Sequence, residues 1–218
     1  MKLLHVLASP RLEGSNTLQI SQSFLDALHE STPTTTVDTV DLFNTDLPAV
    51  AGANIEAKYQ ILVGQPIDRD HAESWTEIER EIDRFREADA YLITAPMWNF
   101  SVPYALKYYI DCIVQPGYLF RFNELGYPVP LLSGKKMIVV SSSGSDYSAA
   151  SPAAGFNFHE PYLRAIFGFV GITDVTFVHA HALDVPGEAR VTELQRAIDE
   201  ARDLGSSESW KASPTVTV

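Results

Sequence analysis

Residues 91–94, Tyr-Leu-Ile-Thr, make a short apolar run without polar alternation, and Ala95-Pro96 ends it. No other feature narrows the fold so far. A strand that is apolar on successive residues must be hidden on both faces, which is the situation of a parallel sheet covered by helices on either side. The stretch then turns aromatic: Met97-Trp98-Asn99-Phe100 lies between Pro96 and Pro103. Each proline fixes its own φ and pushes its predecessor towards extended geometry, so the segment reads as a stiff loop ahead of a helix starting near Pro103. Met97, Trp98 and Phe100 then stand at the C-terminal end of a strand, where open α/β sheets bind ligands. They either wall a flat aromatic ligand or pack beneath a neighbouring loop.

The chain has 218 residues, which suits one sizeable α/β domain, 1–205, and is short for two. With 28 acidic against 16 basic residues and a formal net charge of -12, it offers no basic stripe for a phosphate backbone, so nucleic acid is not an expected partner. Its apolar runs are too short to span a bilayer, and Met1–Ala8 is too short for a signal peptide. The single cysteine, Cys112, rules out an internal disulfide and suits a reducing cytoplasm. Its place in an apolar helical stretch makes it a buried small hydrophobe rather than a nucleophile.

The first strand, Lys2–Ala8, runs into a polar loop from Ser9 to Thr17, and an amphipathic helix follows to about Leu28 with Ser15 as its N-cap. Unpaired amides and the helix dipole at that point favour an anion such as phosphate. Arg11 either pairs with that anion or sits in solvent. A second strand is expected at Thr35–Asp41, then a long connection over 43–70 with a helical part between Ala53 and Leu62, reaching a ligand or a partner subunit. A helix over His71–Ala88, the strand at Tyr91–Thr94, a helix over Pro103–Val114 and an aromatic turn or small hairpin over Tyr118–Tyr127 follow. A fourth strand, Lys136–Val140, leads into a second polar, glycine-containing loop, Ser141–Ser148. A helix containing Pro161–Ile172, a fifth strand at Val175–His179 and a helix over Glu188–Leu204 complete the pattern. Gly205 ends that helix, and the Ser, Pro and Thr content of 206–218 reads as a mobile tail.

Five strands alternating with helices predict a doubly wound parallel sheet in the order 2-1-3-4-5, with helices on both faces. In that order the loops after strands one, three and four are neighbours. Phosphate is then expected at the first loop and a flat ring between the other two.

Several activities are excluded by what these loops lack. There is no Gly-Lys-Ser/Thr of a P-loop and no Gly-x-Gly-x-x-Gly dinucleotide fingerprint. A phospho-receiver needs acidic residues where this chain has Ser9-Pro10 and Ala95-Pro96, and a serine hydrolase needs a Gly-x-Ser-x-Gly elbow. His179 and His181 share one strand face but have no Cys or further His beside them in the sequence, so a satisfied strand-end pair is expected and no metal site.

Ala95-Pro96-Met97-Trp98-Asn99-Phe100, the Gly134-Lys135-Lys136 approach to strand four, and the stretch from Pro161-Tyr162-Leu163 through Gly168–Asp174 resemble the FMN-dependent NADH:quinone oxidoreductases of the azoreductase group, over roughly 2–204. The resemblance implies a flavodoxin-like fold and FMN as cofactor. Ser9, Ser15, Asn16 and Thr17, with Arg11 beside them, would hold the phosphate. Pro96, Met97, Trp98, Asn99 and Phe100 would meet the isoalloxazine, and Ser142, Ser143, Gly144 and Ser145 its pyrimidine side. It also implies a homodimer whose site is completed across the two-fold, so that Phe120 and the 43–70 connection face the partner's flavin. The activity implied is ping-pong, NADH or NADPH passing hydride through FMN to a quinone or azo compound, with no side chain as an obligatory acid or base. Where the azoreductases often have Arg-Gly-Gly, this chain has Ser143-Gly144-Ser145, and Gly144–Ser148 is similar instead to the loop of FAD-using quinone reductases. That leaves the acceptor open and makes Tyr147 a candidate neighbour of flavin or substrate, with Phe100 and Phe120 as the other substrate contacts. A flavodoxin-type electron carrier is the rival, sharing fold, acidity and FMN but not direct NAD(P)H oxidation.

Overall fold

In the computed structural model, which describes residues 1–211, the buried run is the middle strand of the sheet. The strands β1 (Lys2–Leu7), β2 (Thr36–Asp41), β3 (Ala90–Thr94), β6 (Lys136–Ser142) and β7 (Asp174–Ala180) pair in parallel in the order β2-β1-β3-β6-β7. This is the doubly wound order expected. β3 is buried at every position because its side chains serve two cores in alternation. Tyr91 and Ile93 face one layer with Trp75, Ile82 and Phe85, whereas Ala90 and Leu92 face the other with Ile20, Phe24 and Leu28. Full burial of such apolar side chains contributes about 1.5–3 kcal/mol each, so an unpartnered polar residue in β3 would be costly; its buried polar residue Thr94 is hydrogen-bonded to Ser21 and His5.

The helices divide between the two faces. α1 (Asn16–Ser31) and α6 (Glu188–Ser206) cover one side, while α3 (Arg69–Glu87), α4 (Tyr104–Ile113) and α5 (His159–Val170) cover the other. The long connection after β2 holds α2 (Ala53–Leu62), whose Ala57 reaches the core beside Ile78. Asp68, the residue before α3, is held by Gln60, which donates to its carboxylate at 2.6 Å and accepts its amide at 3.0 Å. That clasp starts the helix two residues ahead of His71.

The aromatic stretch is a small antiparallel hairpin of β4 (Phe120–Phe122) and β5 (Pro128–Pro130). At the other end of the chain Gly205 does not end the last long helix. α6 continues to Ser206, and Gly205 is used instead for close packing: a Cβ there would lie 2.4 Å from the Phe24 carbonyl oxygen of α1. The expected tail begins with helix α7 (Glu208–Lys211), whose buried Trp210 meets Phe24 edge-on at 4.9 Å. The remainder of that segment, 212–218, lies outside the described residues.

Candidate active-site cleft

The C-terminal ends of β1, β3 and β6 open into one cleft of about 280 Å³. Ser9, Pro10, Arg11, Ser15, Asn16 and Thr17 line it from the first loop, Pro96, Met97 and Trp98 from the second, and Ser142, Ser143 and Gly144 from the third. A larger groove of about 510 Å³ lies at the opposite edge of the sheet, but its charges already pair, Arg84 with Asp38 and Lys2 with Glu87.

The first loop is an N-terminal cap with surplus donors. Ser15 is extended, and its hydroxyl accepts the Leu18 amide at 3.2 Å and meets the Ser9 hydroxyl at 3.0 Å. The amides of Asn16 and Thr17, at the head of α1, have no intrahelical partner and no other acceptor among the described residues. Thr17 also ties this loop to the third one, its hydroxyl lying 2.5 Å from that of Ser142. Arg11 folds back over Gly14, where a Cβ would stand 3.3 Å from its guanidinium.

The second loop is strained. Trp98 and Ser101 exchange both backbone hydrogen bonds, at 2.9 and 3.0 Å, closing a two-residue reversal with Asn99 at φ 46° and Phe100 at φ 71°. Such tight turns normally call for Asn and Gly in this conformation. Phenylalanine there costs on the order of 1–3 kcal/mol, a cost that clusters where a loop must hold a ligand. The amides of Asn99 and Phe100 donate to no acceptor among the described residues. Trp98 is braced by Phe43 at 5.8 Å and Tyr104 at 6.2 Å, while Phe100 packs on Phe156 at 5.3 Å and edge-on to Tyr147 at 5.9 Å. Beneath the loop, buried His159 binds the Ala95 carbonyl through Nε2 at 3.1 Å, and burial lowers its pKa to about 4.

In the third loop Ser143 donates to the Ser145 carbonyl at 2.8 Å, so its oxygen accepts from Nδ1 of His181 at 3.1 Å. Burial and neighbouring His179 lower the His181 pKa. Gly144 leaves room for Asp184: a Cβ there would stand 2.0 Å from its carboxylate, so a larger residue would have to push that side chain aside. His179 pairs with Glu160 at 2.8 Å and stacks on His181 at 5.2 Å. The two histidines are thus engaged by protein partners. Burial pushes the Cys112 thiol up to about 12, as befits a core side chain.

Five expected residues, Asn99, Phe100, Phe120, Ser145 and Tyr147, stand apart from the cleft lining. Asn99 lines a neighbouring apolar recess with Trp98, Val102, Tyr104 and Tyr162. Phe100 and Tyr147 form a half-exposed rim with Phe156. Phe120 is buried against Phe169 at 4.7 Å and does not line the cleft of its own chain. Ser145 takes part through its carbonyl alone. Sequence reasoning missed Leu183 and Asp184, which line the cleft, and Arg190, which reaches Asn16. All follow β7, at the same sheet edge as the other loops, and that position was the available signal.

Comparison with known proteins agrees with this geometry. Residues 1–204 match the family model described as flavodoxin-like fold. The chain is 38% identical over 203 residues to an FMN-dependent NADH:quinone oxidoreductase of Nitratidesulfovibrio vulgaris, covering 93% of this chain and 97% of that one. It is 41% identical over 179 residues to the protein of that description from Ruegeria pomeroyi, covering 81% and 87%. Among solved structures, an FMN-dependent NADH-azoreductase from Bacillus anthracis, in complex with FMN, superposes with a TM-score of 0.84 at 27% identity, covering 94% of this chain and 97% of that one. With sheet order, loop placement and near full-length similarity in accord, this chain belongs to the FMN-dependent NADH:quinone oxidoreductase family of flavodoxin-like fold.

Proposed function

We propose that the cleft holds FMN and that the protein oxidises NADH or NADPH and reduces a quinone or azo compound in a ping-pong cycle. The observation that carries this reading is the meeting, at one sheet edge, of a donor-rich helix N-terminus in the cleft and, at the cleft's border, a strained aromatic turn with two free amides. The residues suit the cofactor. Ser9, Ser15, Asn16 and Thr17 would receive the phosphate, with Arg11 adding charge. Gly144 and the serines 142, 143 and 145 would border the pyrimidine edge, while Pro96, Met97 and Trp98 would face the ring. The free amides of Asn99 and Phe100 would donate to the ring heteroatoms, where preorganised dipoles stabilise changing charge.

When bound, FMN supplies the two-electron chemistry linking a nicotinamide donor to the acceptor. The chain's part is orientation and exclusion of water. Phe100, with Tyr147 and Phe156, would form the apolar wall against which donor and acceptor stack in turn. No side chain of the cleft is needed as an obligatory acid or base.

Phe120 enters only through a second copy, and the exposed Leu125, Tyr127 and Phe122 of the hairpin supply an apolar face to bury. The protein is therefore proposed to be a homodimer with Phe120 and the 43–70 connection beside the partner's flavin. Among the described residues no helix is long and apolar enough to cross a membrane. A nicotinamide-dependent enzyme with one buried free thiol fits the cytoplasm.

The test is steady-state oxidation of NADH and NADPH by the FMN-loaded protein with benzoquinone or an azo dye, run beside sedimentation. Direct turnover by a species of twice the chain mass is expected. FMN bound without any nicotinamide oxidation would point instead to a flavodoxin-type carrier. Full activity at the mass of one chain would remove the shared site.

A further inference from the structure

Arg190 lies in the first turn of α6, outside the three loops that make the cleft, yet it reaches into the phosphate end. Its Nε donates to the Leu183 carbonyl at 2.8 Å, and its Nη2 donates to Oδ1 of Asn16 at 3.3 Å. A guanidinium has donors only, so it can bind nothing of Asn16 but the amide oxygen. That choice fixes the rest of the side chain. With Oδ1 engaged, both hydrogens of Nδ2 face away from Arg190, no acceptor among the described residues takes them, and Asn16 lines the cleft. Next to them stand the unpaired amides of Asn16 and Thr17.

Without Arg190 the Asn16 amide is free to turn over and present its oxygen, an acceptor, to an incoming phosphate. The cleft already contains one unfavourable group for an anion, the Asp184 carboxylate above Gly144. Arg190 therefore does two things at a point where the balance of donors and acceptors decides binding. It sets the polarity of Asn16, and it ties the loop after β7, which carries Leu183 and Asp184, to the head of α1.

Resting on the flavin reading above, we propose that Arg190 is a positioning residue of the phosphate subsite. It acts through Asn16 to select the phosphorylated flavin, FMN, over riboflavin. Asn16 belongs to the loop assigned to the phosphate, so the effect that runs through Asn16 would fall on the phosphate and not on the ring.

The experiment titrates flavin-free protein with FMN and with riboflavin, following quenching of flavin fluorescence, for wild type, Arg190→Met, Arg190→Lys, Asn16→Ala and the Arg190→Met/Asn16→Ala double variant. Arg190→Met is expected to weaken FMN by about tenfold and riboflavin by less than about twofold. Lysine cannot span both acceptors and is expected to restore only part of the loss. In the Asn16→Ala background Arg190→Met should cost little more, because the two residues act as one unit. Equal weakening of both flavins would make Arg190 merely structural and overturn the proposal. So would an unchanged FMN affinity, or losses that add in the double variant. Wild-type protein that binds neither flavin would overturn the FMN reading itself, an outcome distinct from all of these.

Discussion

At Phe100 two demands conflict: a tight reversal that favours glycine, and an aromatic ring at the rim of the cleft. The ring prevails, with φ held at 71° between Trp98 and Ser101. Replacing Phe100 with alanine keeps a Cβ and the same backbone strain, so the comparison isolates the ring. FMN is expected to remain bound, since the loop from Ser9 to Thr17 grips its other end. Loss of stacking worth about 0.5–1.5 kcal/mol should lower kcat/KM for a quinone by roughly two- to tenfold. An unchanged kcat/KM would remove Phe100 from the substrate wall. The sequence shows the two prolines, the aromatic residues and Asn99 of this loop directly. It does not show the positive φ values, because nothing in Asn-Phe demands them; they follow from closing the turn between two residues pinned by β3 and α4. Asp184 and Arg190 were illegible for a related reason. Their roles arise from the height at which the chain leaves β7, a tertiary property, and neither carries a local motif.

Among the elements, the contact between α1 and α6 shows how a residue type can be legible and its use not. Glycine near the end of a helix reads as a terminator. Here Gly205 lets α6 approach the backbone of α1, and the helix runs past it. Alanine at this position gains about 0.8–1.0 kcal/mol of intrinsic helix propensity. Against that, its Cβ would meet a backbone oxygen, which cannot rotate away, and overpacking of that kind costs about 1–3 kcal/mol. The clash wins, so Gly205→Ala should lower the urea midpoint and loosen the docking of Trp210. A midpoint equal to or above that of the wild type would contradict this packing. By contrast β3 was legible almost residue for residue, because burial on both faces leaves no alternative to a continuous apolar run. The strand order also followed from alternation and crossover rules, and its bounds shifted by only a residue or two where the ladder extends to Ser142 and Ala180.

The molecule as a whole carries a pH dependence built into its core. His5, against Thr94 at 2.8 Å, and His159, beneath Ala95, are buried neutral, and burial lowers each pKa from 6.5 to about 4. The unfolded chain binds protons at these sites below about pH 6.5 and the folded chain only near 4. Stability is therefore complete above the unfolded value and falls as pH drops through that window, by about 2 kcal/mol per histidine between pH 7 and 5. Urea unfolding at the two pH values should show this decline, and a flat profile would mean that the histidines are not sealed from solvent. Each hydrogen-bonds at the C-terminal end of β3, His5 to Thr94 and His159 to Ala95, so the same acidification should act on the floor of the cleft.

That cleft, closed by three strand-end loops that meet only through the 2-1-3-4-5 order, is the point on which the whole account turns. The direct measurement is the flavin content of the purified, full-length protein: its visible absorbance, followed by chromatography of what is released on denaturation. The account predicts a yellow protein that yields FMN, roughly one per chain, with no FAD or riboflavin. A colourless protein that cannot be reconstituted with FMN would contradict it.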